Sequence, residues 1–212
     1  MGIYIEALII YAVLFFSGST GLFIRGVEGF SNTAELTRLL TYTIPSLALI
    51  WYLLLKVKKI KDWNIKPCFN DLVSGIITFP CLLITGFAVA VMASNLSGNS
   101  AYISPYFPSS VPGWAILSVS CIVSAYLEES FFRFYILSRR EEMHLNSAMA
   151  LVFSVALFSI CHIYEGPWGF LNSVFAGTIL AFIFLRYNSL HGAAIAHGFY
   201  NIAVYAIYAI LN

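Results

Sequence analysis

Charge is what this chain has least of. Eleven Lys and Arg and ten Asp and Glu make up 10% of its 212 residues, while hydrophobic residues make up 60%. A soluble domain sits nearer a quarter charged and half apolar. The composition therefore excludes an ordinary water-soluble fold and marks an integral membrane protein. A basic surplus is missing as well. A net charge of +1 offers no patch to displace counterions from a phosphate backbone, which excludes nucleic acid as a partner. Cysteine is sparse: Cys68, Cys81, Cys121 and Cys161 form no CxxC pair and read as small apolar residues, not as disulfides or a metal cage. No HExxH pair and no internal repeat occurs. The opening MGIYIEALIIYAVLFF lacks the basic leader of a secretory signal and reads as a retained first span.

What is present is a series of long apolar runs. A bilayer core takes about 20 apolar residues per helix, which places spans at 4–24, 39–56, 72–95, 113–138, 146–164, 168–186 and 189–211. The expected fold is all-α: a polytopic transmembrane bundle of about seven spans, forming a single integral membrane domain over 1–212. Loop charge sets its orientation. KVKKIKDWNIKP (56–67) holds five lysines, whereas NLSGNSAYISPYFPSSVPG (95–113) holds no Lys or Arg. The first loop is thus expected in the cytoplasm with the N-terminus, and the second outside with the C-terminus. Arg139, Arg140 and Arg186 fall on the cytoplasmic side, while Arg25 and Arg38 precede the second span on the other.

Against this background, YLEESFFRFYIL (126–137) stands out. Glu128, Glu129 and Arg133 are the charged residues well inside a span, and each costs ~2.5–3.5 kcal/mol at mid-membrane on insertion scales. Glu129 and Arg133, four apart, share a helix face and can neutralise one another. Glu128 lies about 100° round the helix without a local counter-ion. An unpaired intramembrane carboxylate is a functional candidate. Three further polar residues occur at depth. His162 ends FSICH (158–162), and HGFYN (197–201) puts His197 and Asn201 four apart on one face of the last span. At 1.5 Å per residue, Glu128 lies about 16 Å from Arg139 and His197 about 16 Å from Arg186, so the two can meet. His162 comes out deeper, about 24 Å from Asn146, which asks the fifth helix to tilt or to start deeper. Other polar residues carry less. His144 sits in a charged loop, and His191 lies near the interface. Cys161 and His162, as consecutive helical residues, should point apart. Asn172 and Asn188 suggest no role.

EESFFR (128–133), FSICH (158–162) and HGFYN (197–201) resemble the ordered motifs EExxxR, FxxxH and HxxxN of the CAAX-protease and bacteriocin-processing (CPBP, or Abi) family of intramembrane proteases. The resemblance covers about 113–201, including FAGTILAFIFLRYNSLHGAAIAH (175–197). Two departures are visible. Phe134 follows Arg133 where members often carry Gly, and the prenyl-peptide proteases of the family have eight spans. Residues 1–95 show no recognisable motif. The resemblance implies variable N-terminal spans over 1–95, a catalytic helix core over 113–211, and a location in a prokaryotic cell membrane. It also implies an endopeptidase that hydrolyses a bond in a membrane-associated protein or peptide tail. In that chemistry Glu128 activates a water, His162 orients it, and His197 and Asn201 donate to the oxyanion, with ~3–4 kcal/mol available per donor. Glu129 and Arg133 set the helix and its electrostatics.

Three alternatives remain open on the residues alone. Glu128, His162 and His197 form a two-His-one-carboxylate set that could hold zinc beside an open water position. A carboxylate with histidines could serve a proton or ion relay in a small transporter, although the inverted repeats of many transporters are missing. The cluster could also be packing in a non-catalytic immunity factor. The orientation has its own test. An alkaline phosphatase reporter inserted at residue 100 should be active and one at residue 60 inactive; the reverse pattern would invert the topology.

Overall fold

The computed structural model describes residues 2–16, 29–57, 65–97 and 106–211. Seven helices run through them. The first, α1 (Ile3–Ile10), continues as a π-helical turn, Tyr11–Phe16. Next, α2 (Asn32–Val57) carries a π-helical stretch at Leu39–Thr43. After α3 (Phe69–Ser97) comes α4 (Val111–Ser138), which is π-helical over Ser130–Tyr135. A short α5 (Ser147–Ile160) leads through a 3-10 turn, Ile163–Glu165, into α6 (Gly166–Tyr187). The last helix is α7 (Leu190–Leu211). Among the described residues there is no strand.

Local chemistry fixes these ends. Ser31, Ser110 and Asn146 are N-caps whose side chains accept from Ala34 N, Gly113 N and Met149 N, satisfying donors that a helix start leaves open. Asn188 ends α6 in the left-handed conformation (φ 49°, ψ 41°), a role for which asparagine is suited and which its sequence context did not suggest. His144, in the loop before α5, is exposed.

Five helices are long and apolar enough to cross a membrane, as expected of an integral membrane protein: Asn32–Val57, Phe69–Leu96, Val111–Ser138, Ile163–Tyr187 (counted with its 3-10 turn) and Leu190–Leu211. Two more, Ile3–Phe15 and Ser147–Ile160, are apolar but shorter. The expectation of about seven spans therefore resolves into five helices of spanning length and two short ones. The first expected span, 4–24, extends past the described residues, as do Arg25 and parts of both loops used for orientation. The second span starts earlier than expected, at Asn32. The fifth stops at Ile160, and its 14 residues make about 21 Å, short of the ~30 Å hydrocarbon core.

Helix α7 packs against α3 and α4, and α6 against α3 and α5. The main core gathers around the π-helical stretch. There Phe131, Phe132, Phe134 and Tyr135 are buried with Phe15 of the π-helical turn after α1, Ile50 and Leu54 of α2, Phe158 of α5 and Phe184 of α6. By contrast α3 turns Phe69, Leu72, Ile76, Ile84 and Phe87 outward, the surface a lipid-facing helix presents. Glu6, near the start of α1, pairs with Arg139 just past α4 at 3.4 Å. Those two chain segments thus lie on one side of the bundle.

Close contact between α3 and α7 depends on a polar clasp. Ser189 Oγ accepts from Gly192 N and from Ser74 Oγ, the latter at 2.8 Å, while its own hydroxyl donates to Asp71. Asp71 also accepts from Cys68 N. A Cβ at Gly192 would lie 1.9 Å from Ser74 Oγ and 2.4 Å from the Asp71 carbonyl oxygen. Gly192→Ala should therefore destabilise the protein by about 1–3 kcal/mol, read as a fall in unfolding temperature in detergent. An unchanged temperature would mean the clasp is not formed.

Candidate active site

The site starts where α4 changes pitch. Glu128 and Glu129 are its last regular residues, and Ser130–Tyr135 follow in π-helical geometry, a distortion that often occurs at functional positions. Neighbouring helices hold this stretch. Ser154 of α5 donates to the Phe132 carbonyl at 2.6 Å, and Trp51 of α2 donates to Ser130 Oγ at 3.2 Å.

Glu129 and Arg133 are both fully buried and lie 3.1 Å apart (Oε2 to Nε). The contact is one of charge proximity, since neither atom makes an aligned hydrogen bond among the described residues. Two further contacts share the guanidinium. One Nη donates to the Gly177 carbonyl of α6 at 3.4 Å, and the plane lies over the Phe158 ring at 4.4 Å. A guanidinium cannot give up its proton in a protein, so the buried charge needs both the carboxylate and the π face.

The second oxygen of Glu129 reaches α7. His197 Nδ1 donates to Glu129 Oε1 at 2.9 Å, because a carboxylate oxygen is an acceptor. That bond fixes the imidazole and turns Nε2 toward Glu128, whose Oε2 is 3.9 Å away. Glu128 differs from its neighbour in surroundings. Its side chain is 20% exposed, yet Oε2 is buried without a hydrogen-bond partner among the described residues. Two adjacent glutamates thus occupy two chemical situations: one locked between Arg133 and His197 and one with an unused oxygen.

His162 lies beyond the end of α5, in non-helical conformation (φ −102°, ψ 6°). The helix stops two residues before it. His162 Nδ1 donates to the Phe158 carbonyl at 2.7 Å, so that in a neutral ring Nε2 is the acceptor nitrogen. The same turn overturns the expectation that Cys161 and His162 point apart. Cys161 Sγ lies 3.3 Å from His162 Nδ1 and 2.9 Å from the same carbonyl. Both groups converge on one acceptor because the chain has left helical pitch.

Of the residues singled out from sequence, Glu128, Glu129, Arg133 and His197 meet directly. His162 joins them through the Phe158 ring, whose centroid is 4.6 Å from that of His162 and 5.9 Å from that of His197. Asn201 is half-buried, one turn further along the face of α7 that carries His197. His191 belongs elsewhere, with Nε2 donating to the Ile65 carbonyl and Nδ1 accepting from Tyr126. Asn172, given no role from sequence, pairs with the Tyr200 hydroxyl at 3.0 Å. Among the described residues no three His, Cys, Asp or Glu side chains gather closely enough to ligate one metal ion. The alternative zinc set Glu128, His162 and His197 is thus not assembled.

Sequence reasoning missed Glu165. It lies in the 3-10 turn, half-buried, with its N–H on the His162 carbonyl and its Cβ above Gly169. It is within electrostatic reach of Glu128, His162 and His197. An acidic residue immediately before Gly-Pro was the available signal, but it fell between two expected spans.

Residues 109–203, from just before α4 into α7, match the family model described as type II CAAX prenyl endopeptidase, Rce1-like. This segment is therefore similar to a family of peptidases. No curated protein and no solved structure matches the chain.

The buried pair generates a test of stability. Arg133→Met strands the Glu129 charge and should cost about 3–5 kcal/mol, whereas combining it with Glu129→Gln should cost less than the two single changes together. Unfolding temperatures of the four proteins in detergent measure this, and strict additivity would mean the two side chains do not interact.

Proposed function

Because residues 109–203 match a family model of peptidases, we propose that this protein is an intramembrane endopeptidase with glutamate-activated water as its nucleophile. The substrate is a membrane-associated protein or peptide tail, and residues 113–211 form the catalytic core. The observation carrying this reading is the Glu128 carboxylate, which has one buried oxygen unused and His197 Nε2 3.9 Å away.

The chemistry follows from the donors and acceptors. A water beside Glu128 gives one hydrogen to the carboxylate and the other to His162 Nε2, the free acceptor of that ring. Its lone pair then faces the scissile carbonyl. As the water oxygen bonds to carbon, Glu128 takes the proton. For His197 to donate to the developing oxyanion, Nε2 must carry a proton in addition to the one that Nδ1 places on Glu129, so the ring acts as imidazolium. Glu128 and Glu129 balanced by Arg133 and His197 then make a neutral cluster, which suits a low-dielectric site. Asn201 supplies a second oxyanion donor. When the C–N bond breaks, Glu128 passes its proton to the leaving amine, and the carboxylate is restored. Glu129 and Arg133 touch no reacting atom; they hold His197 in place.

In this reading the chain lies in a prokaryotic cell membrane with its N-terminus in the cytoplasm, and substrates reach Glu128 from that side. The test is cleavage of a co-expressed panel of tagged membrane peptides by wild type and Glu128→Gln, with a chelator in a parallel arm. Glu128→Gln should lose at least about 100-fold in rate, as removing a general base does, and chelator should have no effect. Cleavage at the wild-type rate by Glu128→Gln would remove the proposed base. Loss of activity with chelator would transfer the reaction to zinc, and ion flux in liposomes without any cleavage would support transport.

A further inference from the structure

Phe158 touches more of the site than any residue to which the mechanism gives a chemical task. It is 2% exposed, on the last turn and a half of α5. Four groups from three different segments meet its ring. The Arg133 guanidinium of α4 lies over its face at 4.4 Å. The His162 ring of the following turn lies at 4.6 Å, tilted by 42°. The His197 ring of α7 meets it edge-on at 5.9 Å and 67°. Phe132 of α4 meets it at 5.3 Å and 87°. Its carbonyl adds the bond that sets the His162 tautomer. On the remaining side the ring rests on Gly177 of α6, where an added Cβ would come within 2.9 Å of Phe158 Cδ1.

We propose that Phe158 is the positioning residue of the site: its ring sets the separation of His162 from His197 while holding Arg133, and Gly177 is the seat that fixes the ring. No polar contact joins the two histidines, which arrive from different segments. One rigid aromatic body between them is the part that can define their distance. An aliphatic side chain fills similar space but offers no π face to the guanidinium and no flat edge to the imidazoles. Gly177 has a double task, since its carbonyl accepts from Arg133 while its missing Cβ admits the ring.

The proposal rests on the hydrolytic reading for its consequence in catalysis, but its geometric content can be measured without activity. The protein has four histidines, and [15N]His spectra in detergent micelles report the tautomer and surroundings of each. His144, exposed, and His191, held by Tyr126 and Ile65, are internal controls. In Phe158→Leu the signals of both His162 and His197 should move, while those of His144 and His191 stay. Gly177→Ala should move the same two signals by pushing the ring. The double variant Phe158→Leu/Gly177→Ala should lie closer to Phe158→Leu than additivity allows, because leucine has no ring to displace. In the cleavage assay, Phe158→Leu should lower kcat by up to about 100-fold, the effect of a misplacement near 1 Å, with KM unchanged. Movement of His162 alone, of all four histidines together, or strict additivity of the two substitutions would overturn the proposal. If the two histidine signals respond as expected but Glu128→Gln still cleaves, the hydrolytic assignment fails and the positioning role of Phe158 stands.

Discussion

The arrangement on which the rest of the site depends is a buried carboxylate held between a guanidinium and an imidazole. Arg133 is fully buried and cannot shed its charge, so Glu129 must remain ionised beside it. Once ionised, Glu129 offers its second oxygen to His197 and fixes both the tautomer and the direction of that ring. Only then does Nε2 point at Glu128. A buried ion pair is weak evidence for stability, because desolvation offsets much of the attraction. Its value here is in specifying geometry, and the cost of burying it is accepted for that purpose.

The surrounding helices can be understood as supports for this one arrangement. The π-helical stretch after Glu129 sets the Phe132 carbonyl where Ser154 of α5 satisfies it, and directs four aromatic side chains into the core. Helix α5 stops short of spanning length, so His162 reaches the site from a turn. Gly177 lets α6 approach closely enough for its carbonyl to reach Arg133. The α3–α7 clasp at Asp71, Ser74 and Ser189 anchors the helix that carries His197 and Asn201. Packing and chemistry are therefore linked through the same few residues.

How much of this could be read from sequence depended on whether local periodicity decided it. The pairing of Glu129 with Arg133 follows from spacing along one helix, and the approach of Glu128 to His197 follows from equal depth in two helices. The all-α character followed from the apolar runs, but their number did not translate directly into helices of spanning length. Helix ends and pitch changes were not readable. Nothing in SFFRFY announces a π-helical turn, and nothing in FSICH says that the helix stops at Ile160. Both come from tertiary contacts. The same is true of Cys161, which meets His162 because of that stop, and of Glu165, which enters the site by way of the turn. Phe158 was visible only as the first letter of a motif, since its contacts come from helices distant in sequence.

In the proposed reaction adjacent glutamates divide the work, Glu128 chemical and Glu129 structural. The most direct measurement is a side-by-side comparison of Glu128→Gln and Glu129→Gln, recording the cleavage rate and the unfolding temperature of each protein in the same detergent. Glu128→Gln should lose cleavage while keeping the wild-type unfolding temperature, and Glu129→Gln should unfold at a clearly lower temperature. A Glu128→Gln protein that cleaves normally, or a Glu129→Gln protein that is fully stable but inactive, would contradict that division.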